Sequence, residues 1–99
     1  MNNLIHDLQQ KELKTMYQKQ GITYLGLFGS SARGEATSQS DVDLLIDFEG
    51  HKSLFDLDDL KFYFQDMLGR KIDLAMKGHL KKAFEPYIMK DLITIYEKS

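Results

Sequence analysis

The sequence predicts a single domain over residues 1–99 of the α/β (α+β) class, in which helices flank a small mixed β-sheet. Segments with helical spacing of apolar residues alternate along the chain with short segments of β-branched and aromatic residues. The 99 residues suffice for one hydrophobic core, since a chain of this length buries roughly 65% of its accessible surface on folding. The composition, 42% apolar and 28% charged, is typical of a globular protein and argues against disorder.

The first half of the chain is predicted to contain one helix and two strands. Apolar residues at helical spacing, followed by Gly21 as a stop, predict a helix over 3–20. β-Branched and aromatic residues predict a strand over Ile22–Phe28, and the small polar residues of Gly29–Thr37 predict a turn with one or two helical turns. A period of two predicts a strand over Asp41–Phe48. One face of this strand carries Val42, Leu44, Ile46 and Phe48, and the other carries Asp41, Asp43, Leu45 and Asp47.

The second half is predicted to contain two helices and two short strands. Ser53 and Asp56 resemble a capping box, and helical spacing of Leu57, Leu60, Phe64, Met67 and Leu68 extends the helix to Leu68. The remaining predicted elements are a strand over Lys71–Met76, a helix over Leu80–Lys90 with a boundary or kink near Pro86, and a short strand over Leu92–Tyr96.

Three aromatic residues of the 53–68 helix lie off its main apolar stripe: Phe55, Phe62 and Tyr63. They indicate either a helix buried on two sides or an outward-facing contact site, and the sequence slightly favours the helix buried on two sides.

Composition excludes several functional classes. The chain has no cysteine, which excludes a disulfide scaffold, a cysteine-ligated zinc site and a thiol nucleophile. No apolar run exceeds three residues, the length of Leu44–Ile46, which is far too short to span a membrane. The N-terminus lacks the apolar segment of a signal peptide, so we expect a cytoplasmic location without membrane association. A net charge of −2 offers no general attraction to a nucleic-acid duplex, and direct DNA binding is not expected.

Three aspartates form the candidate catalytic and metal-binding cluster. Asp41 and Asp43 occupy alternate positions of a strand, which places both carboxylates on one face with Cα atoms about 6.6 Å apart. Burial of two such charges is costly, and Mg²⁺ offsets that cost because it prefers oxygen ligands and binds carboxylates together with substrate phosphates. Asp73 adds a third carboxylate from another strand, and three carboxylates can hold two metal ions for nucleotidyl displacement.

A glycine-serine turn follows the first predicted strand and is a candidate phosphate-binding element. Gly29 permits close backbone approach, and the Ser30 hydroxyl is a donor for a phosphate oxygen. Arg33, on the same segment, suits a bidentate contact to phosphate or to an acidic partner group. Taken singly, a Gly-Ser pair carries almost no information, and an arginine such as Arg33 is most often a solvated charge. An isolated pair of alternate aspartates is more often surface or loop-end charge, and Asp73 alone is usually a strand-end residue. Their occurrence together, at strand ends, is what indicates a site.

The combined pattern resembles a known family. The stretch Phe28-Gly29-Ser30-Ser31-Ala32-Arg33-Gly34-Glu35-Ala36, then Ser40-Asp41-Val42-Asp43-Leu44-Leu45-Ile46 and Leu68-Gly69-Arg70-Lys71-Ile72-Asp73-Leu74, is similar to the minimal nucleotidyltransferase (MNT) domain of the DNA polymerase β-like nucleotidyltransferase superfamily. The resemblance covers nearly the whole chain and implies the fold of that superfamily. Two mild departures are Ser31, where larger residues are common, and Gly26, which interrupts the first strand.

The resemblance also implies roles for residues. Gly29 and Ser30, with Arg33, would bind the nucleoside triphosphate. Asp41, Asp43 and Asp73 would bind two Mg²⁺ ions, and Asp73 would serve as third ligand or as base for the attacking hydroxyl. The implied reaction transfers a nucleoside monophosphate from its triphosphate to an acceptor hydroxyl, with release of pyrophosphate.

Small MNT proteins resemble the antitoxins of HEPN–MNT toxin–antitoxin pairs, which implies transfer of AMP from ATP to a tyrosine of a HEPN ribonuclease. The short chain, without an acceptor-binding domain, favours an acceptor supplied by a partner protein. Two alternatives stay open from the sequence. One is an antitoxin that neutralises its partner by stoichiometric binding, and the other is a nucleotidyltransferase acting on a small molecule, as those that modify aminoglycosides do.

Overall fold

The computed structural model describes residues 4–35 and 40–98, and within them five α-helices and four strands are present. The last part of the turn predicted over 29–37, and the first residue of the helix predicted over 3–20, lie outside the described residues. In chain order the elements are α1 (Leu4–Leu8), α2 (Lys11–Lys19), β1 (Ile22–Phe28), α3 (Gly29–Ala32), β2 (Val42–Phe48), α4 (Leu54–Leu68), β3 (Ile72–Met76), a 3₁₀ turn (Lys77–His79), α5 (Glu85–Asp91) and β4 (Ile93–Glu97).

The four strands form one mixed sheet in the order β3-β2-β1-β4. β1 is antiparallel to both β2 and β4, whereas β2 and β3 are parallel. Because of these directions, β1 ends at the same edge of the sheet at which β2, β3 and β4 begin. The mixed sheet flanked by helices confirms the predicted fold class, and the strand over Leu92–Tyr96 is confirmed with a shift of one residue.

The hydrophobic core lies against one face of the sheet. The predicted apolar face of β2 supplies Val42, Leu44 and Ile46, all fully buried, and α4 contributes Leu60 and Phe64. On the other face, Leu45 is also fully buried. This face is the one that carries Asp43, because side chains alternate along a strand.

The first helix prediction is wrong in one respect, because the chain forms two helices where one was expected. The break lies at Gln9 and Gln10, where the backbone of Gln10 is extended (φ −58°, ψ 147°). The buried Tyr17 hydroxyl donates a 2.7 Å hydrogen bond to the carbonyl of Leu8, at the point where the helix is interrupted. The Gln9 side chain donates to the carbonyl of Ile95 on β4, so the break also ties the helical pair to the sheet.

The capping box predicted for α4 is present. Ser53 Oγ accepts from the amide of Asp56 at 3.2 Å, and Asp56 Oδ2 accepts from the amide of Ser53 at 3.0 Å. The Asp56 carboxylate accepts from the Ser53 amide and also from the Ser53 hydroxyl, and these two hydrogen bonds lower the pKa of Asp56. The helix ends at Leu68, and Gly69 caps it in the left-handed conformation (φ 66°) that glycine adopts readily.

The outer face of α4 departs from the sequence interpretation. Phe55 and Phe62 are 82% and 63% exposed, and Tyr63 is also exposed, so the interpretation of a helix buried on two sides is wrong. Met67, expected in the core, is exposed as well. Helical spacing identified the buried stripe at Leu60 and Phe64, but within residues 4–35 and 40–98 no second element covers the opposite side.

The predicted helix over Leu80–Lys90 is shorter than expected. Only Glu85–Asp91 is α-helical, and Pro86 lies in its first turn. A proline lacks the amide hydrogen and clashes with the preceding turn, so it is tolerated at a helix start and not inside one. The boundary expected near Pro86 is therefore confirmed.

Across the two described ranges, no helix is both long enough and apolar enough to cross a membrane.

Candidate active site

The predicted catalytic aspartates lie at the edge of the sheet where β1 ends and β2 and β3 begin. Asp43 on β2 is directly opposite Phe28 on antiparallel β1 and Asp73 on parallel β3. Residues in direct register share a face of the sheet, so the Asp43 and Asp73 carboxylates stand side by side on neighbouring strands. Asp43 is half-buried, whereas Asp73 is exposed. One carboxylate of the pair is thus accessible to an incoming group.

Asp41 lies one residue before β2 begins and is half-buried. Two contacts hold this short approach to the strand against the start of β3. The amide of Val42 donates to the carbonyl of Lys71 at 2.8 Å, and a guanidinium nitrogen of Arg70 donates to the carbonyl of Ser40 at 3.2 Å. The backbone on both sides of Asp41 is therefore anchored to the segment that carries Asp73.

The glycine at the end of β1 is required by its backbone and by its neighbour. Gly29 has φ +73°, a conformation that residues with a side chain rarely adopt. A Cβ at this position would overlap Oδ2 of Asp43 and lie 3.3 Å from its Cγ. The turn into α3 therefore passes in direct contact with the Asp43 carboxylate, which places the glycine-serine turn beside the aspartates.

The two serines of this turn differ in accessibility. Ser30 is half-buried, whereas Ser31 is fully buried within α3. Ser30 is therefore the serine of the turn that retains access to solvent, as its predicted contact with a phosphate requires.

Burial and like charge shape the electrostatics of the aspartate cluster. The pKa of Asp43 is raised, first by burial of the carboxylate, then by the negative charges of Asp73 and Asp41 and by a hydrogen bond with Asp73. The positive charge of Arg33 acts in the opposite direction. Ionisation of Asp43 is therefore disfavoured in this setting, and positive charge placed beside it would be stabilised.

Arg33 binds two acidic groups of the protein. Its Nε donates to Oε1 of Glu35 at 2.8 Å, and a terminal guanidinium nitrogen donates to Oδ2 of Asp91 at 2.9 Å. These hydrogen bonds raise the pKa of Arg33. Of the two interactions that the sequence left open for this side chain, phosphate or an acidic group, the structure contains the second, and it joins the end of α3 to the end of α5.

The three aspartates offer the kind of ligand that Mg²⁺ prefers, although their side chains do not already form a complete coordination site. Asp41, Asp43 and Asp73 offer only carboxylate oxygens, the ligands that Mg²⁺ prefers, and their mutual repulsion favours a cation. Within residues 4–35 and 40–98, no group of three histidine, cysteine or acidic side chains already has the geometry to hold a metal ion. Mg²⁺ usually completes its shell with water and substrate phosphates, so two or three convergent carboxylates are compatible with it.

The contacts that hold the site together were only partly predictable. Asp91, which pairs with Arg33, and Gln65, whose side chain accepts from the amide of Ile72 at 3.3 Å, were not singled out from the sequence. Arg70 lies in a stretch that resembles a family motif, but that motif does not predict its hydrogen bond to the carbonyl of Ser40. No local pattern identifies these residues, because each acts across a tertiary contact.

A mixed four-stranded sheet that presents paired aspartates beside a glycine-serine turn defines a nucleotidyltransferase-type protein. Comparison with known families agrees, since the model of the nucleotidyltransferase domain matches residues 7–95. The chain belongs to this family and is an enzyme of the nucleotidyltransferase class.

Individual relatives indicate which kind of nucleotidyltransferase this chain is most similar to. The chain is 37% identical over 86 residues to protein adenylyltransferase MntA of Thermococcus cleftensis, an alignment that covers 87% of this chain and 84% of the relative. Among solved structures, a toxin–antitoxin with AMP-PNP is similar at TM-score 0.77, with 12% identity over 97% of this chain and 75% of the matched chain. A complex of the tri-AMPylated Shewanella oneidensis HEPN toxin with MNT antitoxin is similar at TM-score 0.69, with 12% identity over 99% of this chain and 74% of the matched chain. At this identity, the two solved structures establish the shared fold.

Proposed function

We propose that this protein transfers AMP from ATP to a tyrosine hydroxyl of a HEPN toxin and thereby acts as its antitoxin. The observation that carries the proposal is Asp43, which lies against the Gly29 turn and in register with Asp73, in a chain 37% identical to a protein adenylyltransferase. A cytoplasmic location is part of the proposal, because ATP is available there.

The proposed binding roles follow from position at the sheet edge. Gly29 and Ser30 contact the triphosphate, because this turn leaves a backbone surface and one accessible hydroxyl beside the carboxylates. Arg33 acts from the same turn. Its pairs with Glu35 and Asp91 fix the end of α3 and leave part of the guanidinium exposed toward an incoming phosphate.

Asp41, Asp43 and Asp73 would hold two Mg²⁺ ions. When bound, Mg²⁺ neutralises charge on the phosphates and on the attacking and leaving oxygens. The contribution of the protein is to hold Asp43 rigidly, through its place in β2 and its contact with Gly29, and to keep Asp73 at the accessible end of the row.

In the proposed reaction, the tyrosine oxygen of the acceptor attacks the α-phosphorus of ATP. A bond from that oxygen to phosphorus forms, the bond from phosphorus to the oxygen bridging the β-phosphate breaks, and pyrophosphate leaves. Asp73 is suited to accept the hydroxyl proton, because it is exposed and lies beside Asp43.

The direct test is incubation of the protein with Mg²⁺, ATP labelled in the α-phosphate and the HEPN protein encoded beside it. Intact mass of the acceptor is expected to rise by whole AMP units, and Asp41→Ala/Asp43→Ala is expected to abolish labelling. Asp47→Ala is a matched control, because it removes a carboxylate from the far end of the same strand and is expected to retain activity. Equal labelling by the Asp41/Asp43 double variant would refute this mechanism.

The same double variant separates catalysis from stoichiometric binding. If neutralisation depends on AMP transfer, the variant is expected to bind the toxin and yet fail to protect cells that express it. Full protection by the variant at normal expression would instead identify binding as the means of neutralisation.

A further inference from the structure

The outer face of α4 carries an unusual stripe of aromatic and acidic side chains. Phe55, Asp59, Phe62 and Asp66 follow one another at spacings of four, three and four residues, and all are exposed. Side chains at these spacings lie in one row along a helix. The row is on the side of α4 opposite Leu60 and Phe64, which are buried, so it faces away from the core.

The two phenylalanines leave a large apolar area in contact with solvent. Phe55 is 82% and Phe62 is 63% exposed. A phenylalanine buries about 150–250 Å² when it is covered, so these two rings leave on the order of 300 Å² of apolar area in contact with solvent. A patch of that size is comparable to the largest apolar patch of an ordinary monomeric domain, which is often a functional surface.

The negative charge on α4 indicates that a partner would present a basic surface. α4 carries four aspartates against one lysine, a net charge of −3, whereas the whole chain has a net charge of −2. The acidity of the protein is therefore concentrated on α4. Two copies of this face would repel each other, whereas a surface with apolar side chains flanked by arginine or lysine would match both the rings and the carboxylates.

The position of the row relates it to catalysis. α4 ends at Leu68, and the chain enters β3 four residues later, where Asp73 lies at the catalytic edge. The amide of Ile72 is bound by the side chain of Gln65 at 3.3 Å, so the end of α4 and the catalytic edge are in direct contact. A partner of domain size seated on α4 can therefore extend past this end of the helix toward Asp73.

We propose that the row Phe55-Asp59-Phe62-Asp66 is the docking surface for the acceptor protein, and that it recognises a basic surface with exposed apolar side chains. This inference rests on the proposed function, since it takes the acceptor to be a protein. Docking along α4 supplies affinity for the acceptor, whereas the aspartates at the sheet edge perform the transfer.

The test measures binding of the acceptor protein without ATP, so that it does not depend on catalysis. Phe55→Gln/Phe62→Gln is expected to raise the Kd at least tenfold and to raise the KM for the acceptor in AMP transfer, with kcat at saturating acceptor unchanged. The matched control is Tyr87→Gln, which removes a 76% exposed ring from α5 and is expected to leave the Kd within twofold of wild type.

Charge reversal provides a second variant that does not depend on the rings. Wild-type affinity is expected to weaken as salt is raised, and Asp59→Lys/Asp66→Lys is expected to bind at least tenfold more weakly at low salt, with a smaller salt dependence.

Three results would overturn the docking proposal. The first is an unchanged Kd in both double variants. The second is equal weakening by Tyr87→Gln. The third is that Phe55→Gln/Phe62→Gln changes the oligomeric mass of the protein in the absence of acceptor and has no effect on acceptor binding. That result would assign the face to self-association. Wild-type protein that binds the acceptor through this face but transfers no AMP would refute the proposed function and leave the docking surface intact.

Discussion

Replacement of Gly29 by alanine tests whether the turn after β1 is shaped around the Asp43 carboxylate. An alanine at φ +73° costs about 1–2 kcal/mol from its left-handed backbone. It also places a Cβ where Oδ2 of Asp43 now lies, so the carboxylate must move by about 1 Å to restore ordinary contact. A displacement of about 1 Å in a catalytic group costs on the order of 100-fold in rate.

Gly69→Ala is the matched control, because Gly69 has φ +66° and, apart from its chain neighbours, no described atom lies within 4 Å of the position that its Cβ would occupy. Both variants carry the backbone strain, and each is expected to lower the Tm by roughly 4–8 °C per kcal/mol in a domain of this size. Only Gly29→Ala displaces Asp43.

The assay combines thermal unfolding, followed by circular dichroism, with the initial rate of AMP transfer to the acceptor protein. Gly69→Ala is expected to be less stable and to transfer AMP at close to the wild-type rate. Gly29→Ala is expected to remain folded at the assay temperature and to be about 100-fold slower. A folded Gly29→Ala protein with a rate within threefold of Gly69→Ala would show that the turn does not position Asp43.

Four further predictions concern stability. Tyr17→Phe removes the hydrogen bond to the buried Leu8 carbonyl and is expected to lower the free energy of unfolding by about 1–3 kcal/mol in urea titrations. Gly26→Ala would place a Cβ 2.7 Å from the nearest side-chain carbon and is expected to cost about 1–3 kcal/mol through overpacking, with wild-type stability contradicting that contact. Ser53→Ala is expected to cost about 1 kcal/mol by loss of the helix cap. The cap lowers the pKa of Asp56 in the folded protein, so its carboxylate adds to the free energy of unfolding at pH 7, above the unfolded pKa. Asp56→Asn is expected to remove this contribution, and the difference from wild type is expected to disappear as the pH falls well below 3.8.

The fold and the chemically active residues were largely predictable because both depend on local patterns. The alternation over Asp41–Phe48 identified the buried face of β2, and the capping pattern at Ser53 identified the start of α4. The break after Leu8 was not predictable, because it accompanies a hydrogen bond from Tyr17, nine residues away.

The outer face of α4 shows the limit of periodicity. Apolar spacing reports which side chains share a side of a helix, but burial depends on whether another element covers that side. Phe55 and Phe62 lie on a side of α4 that no other element within the described residues covers. Only the tertiary structure distinguishes this arrangement from a helix buried on both sides.

The sequence by itself determined the mixed α and β class, the strand that carries Asp41 and Asp43, and the family to which the chain belongs. The tertiary structure decided that Asp43 and Asp73, 30 residues apart, are neighbours in register, and that Arg33 pairs with Asp91. The physical reason is that periodicity and capping act within a few residues, whereas strand pairing and ion pairs between elements form only when the core brings distant segments together.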